Sequence, residues 1–484
     1  MIMAGGRGVR LGPLTCHRSK PAMPFGGRYR IIDFVLSNFV NSGYRRLFVL
    51  TQFMASSLIK HINRNWQLSG LGEFIEIVPP QMRLGEFWYR GTADAVYQNL
   101  NLVRDEHADH VAVFGGDHIY NFDISQMDEY HRDTQADATV AAFPVRTDEA
   151  SRYGVIDVDA SGRIVGFLEK PANPPEMPGR PGWSLASMGS YFFRTPVLFD
   201  TLATLMHAKG TAYDFGRDVL PSLVHRGARV MAYDFGTNRL PGADPDALPY
   251  WRDVGTVDSY FDANMELRAR IPAVDVYNRR WRIHTAARDY PPSRVVRHGD
   301  NGAASVLEDS LVCEGSIVAS AALHKVLLGY DCFVHAGSHI ERSVVLSGCD
   351  IGSNVRLRHV LLDKNCKIAS GAEIGVDPEA DRARFPYISE NGVVLLPKGT
   401  FVPKSGPIQL AHDVWGMLYK DPTLSVQLKA LGTRVARAPG DRHSYISAGP
   451  RYQRYAAAAA PEPSVALESS DEADPPDPPV VGPA

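Results

Sequence analysis

A glycine-rich turn near the start of the chain, Ala4-Gly5-Gly6-Arg7-Gly8-Val9-Arg10-Leu11, has the make-up of a polyphosphate cradle. Glycines let backbone amides approach phosphate oxygens closely, and Arg7 and Arg10 add positive potential. The stretch lacks the Gly-Lys-Ser or Gly-Lys-Thr ending of a P-loop and the closing glycine of the dinucleotide GxGxxG pattern. A plain strand-to-turn connection would fit it as well. Lys20, followed by Pro21 and the Gly26-Gly27 turn, is a further positive group that a returning loop could bring to the same phosphates; a solvated surface lysine is the plainer alternative. Phe114-Gly115-Gly116-Asp117-His118-Ile119-Tyr120 ends an apolar run with a carboxylate, and the C-terminal edge of an open α/β sheet is where ligands bind. Asp117 and the distant Asp253, in Tyr250-Trp251-Arg252-Asp253-Val254-Gly255-Thr256, would complete an octahedral Mg²⁺ with phosphate oxygens and water, clamping an in-line displacement. Taken singly, the two residues also suit a turn and a helix cap.

Phe167-Leu168-Glu169-Lys170-Pro171 delivers an adjacent acid and base from a strand. Lys170 could pair with a sugar phosphate while Glu169 accepts from sugar hydroxyls; the plain reading is an exposed ion pair of small worth. Ser184-Leu185-Ala186-Ser187-Met188-Gly189 and Tyr213-Asp214-Phe215-Gly216 add small polar groups appropriate to a sugar. His118 reads as a packing residue rather than a catalyst.

These residues need a scaffold. The chain has 484 residues, too many for one hydrophobic core, and its 44% hydrophobic and 22% charged content is that of a globular protein. A formal net charge of -3 gives no overall pull toward nucleic acid or an anionic membrane, so any phosphate site must be local. The five cysteines are widely spaced with no CxxC pair, which fits a reducing compartment. With no signal-like N-terminus and no run of about twenty apolar residues, a soluble, cytoplasmic protein is expected.

Up to about residue 270, β-rich apolar runs alternate with helical patterns, which predicts a mostly parallel α/β sheet with helices on both faces. Strands are expected at Arg46 to Thr51, His110 to Gly115 and Ala138 to Val145, and helices at Asp33 to Ser42 and Ala93 to Glu106. After a Pro- and Arg-rich connector, 271–300, isolated aliphatics recur at roughly six-residue spacing: Ile317, Val334, Ile340, Val345, Ile351, Ile368 and Ile374. One inward aliphatic per short strand with turn formers at the corners predicts a left-handed parallel β-helix over 301–397, its repeats stopping beyond about 386; a β-sandwich is the alternative. Residues 398–455 form an extension of unknown role, with one or two short helices at 410–431 interrupted at Pro422. Residues 456–484, rich in Pro, Ala and acid, read as a disordered tail.

Taken in order, AGGRGVRL, SKPAMPFGGRYRIIDFVLSN, NSGYRRLFVLTQ, FWYRGTADAVYQN, GGDHIY, FLEKPANPP, SLASMGSYFF, DFGRDVLP and PYWRDVGT resemble the bacterial glucose-1-phosphate adenylyltransferases, over residues 3 to 258 and, with the hexapeptide-like domain, to about 397. The resemblance implies a nucleotidyltransferase domain at 1–270 that joins ATP and glucose 1-phosphate into ADP-glucose, with release of pyrophosphate. It places Gly5, Gly6 and Arg7 on the ATP phosphates, and Gln52, Tyr89, Gly91 and Asp94 around adenine and ribose. Gly154, Glu169, Lys170, Ser187, Asp214 and Trp251 fall to glucose 1-phosphate and Asp117 and Asp253 to Mg²⁺, with Arg7, Lys20, Asp117 and Asp253 catalytic. Homotetramers and sugar-phosphate or nucleotide effectors are implied too.

Three departures qualify this. His17 stands where enteric members place a lysine used for sugar bisphosphate activation, so a weak or different response to fructose 1,6-bisphosphate is expected. Only Met1 to Met3 precede the glycine loop, so a misplaced start codon is expected at least as much as a natural truncation. The extension after about 400 has no counterpart in the resemblance. Competing readings are a UTP- or dTTP-dependent pyrophosphorylase, a non-catalytic regulatory subunit, and an acyltransferase working through His324, His335, His339 or His359.

Overall fold

The computed structural model describes residues 1–435 except 245, 286, 300–301 and 419–421; the tail expected at 456–484 lies outside the described residues. Runs such as Arg46–Thr51, His110–Gly115 and Ala138–Arg146 are apolar on both faces and become strands covered on both sides. Ile2–Ala4 lies mid-sheet. Arg46–Thr51 pairs with it in parallel on one side, with Phe74–Val78 beyond, and His110–Gly115 pairs with it in parallel on the other. The chain therefore leaves the central strand in one direction and returns on its opposite flank, and the C-terminal ends of Ile2–Ala4 and His110–Gly115 border the crevice this reversal creates. Trp183–Arg194 runs antiparallel to both His110–Gly115 and Ala138–Arg146. Gly154–Val158 and Ile164–Glu169 finish that edge, which makes the sheet mixed.

The first helix is Ile31–Asn41, close to expectation. The single helix expected over Ala93 to Glu106 is instead two, Thr92–Tyr97 and Leu100–Asp105. Asn99 explains the break: its side-chain amide donates to the Ala95 carbonyl at 2.8 Å and to the Tyr89 hydroxyl at 2.9 Å, competing with the helical ladder.

From residue 294 onward short strands stack in parallel columns as a β-helix. Phe333 pairs with Asp350 and Asp350 with Lys367, so these coils take 17 residues each, while the step from Ile317 to Phe333 takes 16. The residues just before these strands, Cys332, Cys349 and Cys366, form a buried column of small side chains. Six of the seven aliphatics expected inside are buried; Ile317 is only half-buried, and Val318, paired with Val334, is the inward residue of its strand. The repeats do not stop near 386. Residues 375–393 loop out, with the short helix Pro378–Arg382, and the coil resumes with Val394–Leu396 on Val360–Leu362 and Phe401–Val402 on Lys367–Ile368. An excursion of that length hides the period in the sequence while leaving the stack intact.

The extension closes the end of the stack. Gln409–Leu410 pairs with Phe401 and with Arg434–Val435, and helices His412–Leu418 and Pro422–Ala430 lie between. The second of these begins at the proline expected to interrupt them. The two domains share one hydrophobic core, in which Phe25, Phe34 and Phe261 join Leu327, Val344 and Leu361.

Candidate active site

At the crevice, the chain leaves Ile2–Ala4 through Gly5 and Gly6 and turns at Gly8, whose φ of 63° is a left-handed conformation that favours glycine. A cavity of about 510 Å³ opens there, lined among others by Gly5, Gly6, Arg10, Lys20, Gln52, Tyr89, Gly91 and Asp117. Asp117 follows strand His110–Gly115 directly. Asp253 arrives from the far end of the domain because Trp251–Asp253 pairs antiparallel with His118–Tyr120, which puts Asp253 opposite His118. Lys20, nearly buried, donates to Asp253 Oδ1 at 2.7 Å and to Asp117 Oδ2 at 3.0 Å.

The charges hold each other in place. Burial works against the Lys20 charge, but Asp117 and Asp253 outweigh it and hold the ammonium above its ordinary range. Burial works against the Asp117 charge too, and Lys20 and then His118 overcome it, holding that carboxyl well below the usual carboxylate range. The oxygens facing away from Lys20, Asp117 Oδ1 and Asp253 Oδ2, meet His118 and Arg10 only at 3.6 Å. Two hard oxygens that accept no hydrogen bond from these neighbours suit a divalent cation that takes its remaining ligands from phosphate and water. Among the described residues no three His, Cys, Asp or Glu side chains gather as an all-protein metal cage.

Of the other residues singled out from sequence, Gln52 donates to the Tyr89 carbonyl at 3.3 Å, and Gly91 passes so close to Tyr213 that a Cβ would stand 2.2 Å from its carbonyl oxygen. Asp94 is not in the cavity lining. Its buried carboxylate accepts from the Arg90 amide at 2.9 Å, the Arg90 guanidinium at 2.8 Å and Gln98 at 2.8 Å, and so orients Arg90, which does line the cavity and lies against the Tyr213 ring. Arg7 also stands outside the lining, 5.7 Å from the Phe53 ring, whereas Arg10 reaches the acids.

A second polar group adjoins the cavity through Thr92, whose hydroxyl donates to Asp214 at 3.0 Å. Asp214 also accepts from the amides of Gly216 and Arg217. Ser187, Asp214 and Glu169 all act on the hydroxyl of buried Tyr191, which burial, first, and these carboxylates hold above the usual phenol range. Sequence alone gives no reason to single out Tyr191, since it sits among the apolar residues of Trp183–Arg194; Arg90 has no marker either. Glu169 lies over Gly154, where a Cβ would come 3.1 Å from its carboxylate. Lys170 is largely exposed, 3.9 Å from Glu169. Trp251 packs on Phe143 and His118 with ring centroids at 4.4 and 4.9 Å. Three of the four β-helix histidines singled out have local partners: His324 faces Glu308, His335 faces Asp350, and His359 packs on Phe261.

Fold and site define the class, and comparison with known proteins agrees. Residues 1–270 match the nucleotidyl transferase family, and residues 291–396 match the GlmU-like C-terminal hexapeptide family. Nucleotidyl transferases generally use a divalent metal. The glucose-1-phosphate adenylyltransferase 1 of Vibrio parahaemolyticus is 45% identical over 403 residues, 83% of this chain and 98% of the relative. The glucose-1-phosphate adenylyltransferase of Thermus thermophilus is 48% identical over 405 residues, 82% of this chain and 97% of the relative, and that of Anaeromyxobacter is 44% identical over 401. The chain belongs to the glucose-1-phosphate adenylyltransferase family of nucleotidyl transferases. No helix among the described residues is long and apolar enough to cross a membrane.

Proposed function

We propose that the chain joins ATP and α-D-glucose 1-phosphate into ADP-glucose and pyrophosphate in the cytoplasm, supplying a glucosyl donor for glycogen or another α-glucan. The observation that carries this reading is the grip of Lys20 on Asp117 and Asp253 beneath the glycine-lined cavity. Gly5, Gly6 and Arg7 take the triphosphate; Gln52, Tyr89 and Gly91 take the nucleoside, with Asp94 acting through Arg90. Gly154, Glu169, Lys170, Ser187, Asp214 and Trp251 take the sugar phosphate. Asp117 and Asp253 would hold Mg²⁺, which neutralises phosphate charge when bound.

A phosphate oxygen of glucose 1-phosphate attacks the α-phosphorus of ATP; the new P–O bond forms as the bond to the β-phosphate bridge breaks, and pyrophosphate leaves. No nucleophile of the protein is needed. Its work is to align two anions and to place Lys20 against the charge that develops, with Arg7 turning in from beside Phe53 when the triphosphate is bound. Pyrophosphate release with glucose 1-phosphate and each of ATP, UTP, dTTP and GTP tests the reading. A preference for UTP or dTTP would assign another nucleotide sugar, and no turnover with any of them would favour a regulatory subunit.

The same reading includes a homotetramer, to be checked by light scattering, and phosphorylated effectors. Lys364, half-buried, faces Arg18, Arg30 and Arg288, with Asp363 the one anion acting on it. Three guanidinium groups and a lysine close to its titration point, against one carboxylate, where the loop before Lys20 meets the β-helix, suit a sugar phosphate or nucleotide.

A further inference from the structure

The nucleotide and sugar sides of the cleft meet along a seam. Gly91 and helix Thr92–Tyr97 belong to the nucleotide side, and Asp214, just ahead of the helical turn Phe215–Val219, belongs to the sugar side. Three hydrogen bonds join them: the Ala93 amide donates to the Tyr213 carbonyl at 2.8 Å, the Thr92 hydroxyl to Asp214 at 3.0 Å, and the Phe215 amide to the Thr92 hydroxyl at 3.2 Å. A Cβ on Gly91 would collide with the Tyr213 carbonyl, so glycine is what lets the two backbones touch.

Tyr213 grips both sides. Its carbonyl holds the seam, and its side chain turns back to Arg90, whose guanidinium lies 3.8 Å from the ring centroid and donates to the hydroxyl at 2.7 Å. Arg90 is fixed in turn by Asp94 at 2.8 Å and flanked by the Phe87 ring at 4.7 Å. Arg90, Gly91 and Thr92 line the cavity, and Tyr213 stands behind them, outside the lining. Its φ of 58° is left-handed, an unfavourable conformation for a bulky residue. Such an outlier persists where its surroundings over-determine it, and strain of this kind gathers at ligand clamps. Here the surroundings are Arg90 on the ring and Ala93 on the carbonyl, and the next residue is Asp214.

We propose that Tyr213 is a positioning residue that couples the two half-sites: a nucleotide seated against Arg90 and Gly91 steadies Tyr213 and so aims Asp214 at the sugar. This rests on the substrate assignment above and adds how one half-site senses the other. The coupling is reciprocal, so the factor that the nucleotide contributes to sugar-phosphate affinity is matched by the factor that the sugar phosphate contributes to nucleotide affinity. Because Tyr213 lies outside the cavity lining, the affinity for each ligand alone depends on it less than the coupling does.

The test is calorimetric titration of the full chain with glucose 1-phosphate, alone and with saturating α,β-methylene-ATP and Mg²⁺, the carbon bridge of the analogue blocking transfer. The variants are Tyr213→Phe, which keeps the ring and loses the hydroxyl, and Tyr213→Asn, which loses both yet tolerates the left-handed backbone. In the parent the analogue should tighten glucose 1-phosphate about five- to twenty-fold, an ordinary range for coupled sites. Tyr213→Phe should keep part of that factor and Tyr213→Asn less than about two-fold of it, with each ligand alone bound within about three-fold of the parent. A merely structural role would instead weaken each ligand alone and lower the thermal unfolding temperature, leaving the factor in place. That result, a factor in either variant equal to the parent's, or a parent without one overturns the proposal and leaves the substrate assignment standing. A parent that binds neither ligand removes the substrate assignment first and the proposal with it.

Discussion

Lys20 and Asp253 stand 2.7 Å apart, nitrogen to oxygen, across 233 residues of sequence. The same ammonium also holds Asp117, so two acids that would repel each other share one cation in a site otherwise built of backbone glycines. The arrangement depends on a three-residue strand pair, Trp251–Asp253 with His118–Tyr120, rather than on the main sheet.

Replacing Lys20 with methionine should therefore do two things. Turnover should fall about 10²–10³-fold, the cost of losing one group aimed at developing charge. Asp117, freed of its main positive neighbour, should rise toward the ordinary carboxylate range, with His118 still opposing burial. The acid limb of kcat/KM should then move to higher pH in Lys20→Met, while in the parent enzyme Asp117 stays ionised to below that range. An unmoved acid limb would show that Lys20 does not set the charge on Asp117. Asp117→Ala should lose turnover on the same scale without losing the fold, as circular dichroism would check.

Lys170 is not part of the lining of the cavity that holds Lys20; it is exposed just after Ile164–Glu169, a position suited to meeting the phosphate of the sugar. Lys170→Ala should raise KM for glucose 1-phosphate about 10–100-fold, one charge-assisted hydrogen bond, with kcat changed only a few-fold. Lost turnover at normal sugar affinity would reverse the assignment.

Arg18 and Asp363 form a buried ion pair between the loop that carries Lys20 and the β-helix, with both side chains at or below 5% exposure. Removing one partner leaves the other charge uncompensated, so Asp363→Ala should destabilise by about 3–5 kcal/mol, and Arg18→Met/Asp363→Leu should recover most of that. Denaturant unfolding followed by domain-specific fluorescence measures both. If the single variant costs no more than the double, the pair adds nothing at this interface.

Much of this was legible in the sequence, for identifiable reasons. Buried parallel strands such as His110–Gly115 are continuous apolar runs, and the acid ending one, Asp117, marks itself by contrast with them. The β-helix announces its period through aliphatics such as Ile351 and Ile368, one per strand. What stayed hidden depends on long-range pairing or on residues that look like core. Tyr191 is one apolar-looking residue among many in its strand, and the carboxylates near it, Asp214 and Glu169, come from two other segments. Asp94 reads as a site residue from its motif, yet it acts one step back, on Arg90. The coil after residue 393 was masked by the excursion before it, and Asp413 meets His17 only because the C-terminal segment folds back over the end of the helix.

Lys364 supplies a pH-dependent test of the same interface. Burial, first, and then Arg18, Arg30 and Arg288 bring it down to about 7, against about 10.4 in an unfolded chain. Between those values the unfolded chain binds a proton that the folded chain has released, so this group makes stability rise with pH from about 7 to about 10.4, and as pH falls the gain is lost across that same window and is fully gone below about 7. Lys364→Met should remove this contribution, flattening stability across that window. A bound phosphate should push the lysine back up, so phosphate binding near pH 8 should draw a proton from the buffer, seen as a heat that changes with buffer ionisation enthalpy. A Lys364→Met stability profile that still tracks the parent from pH 7 to 10 would show that the proton is released elsewhere.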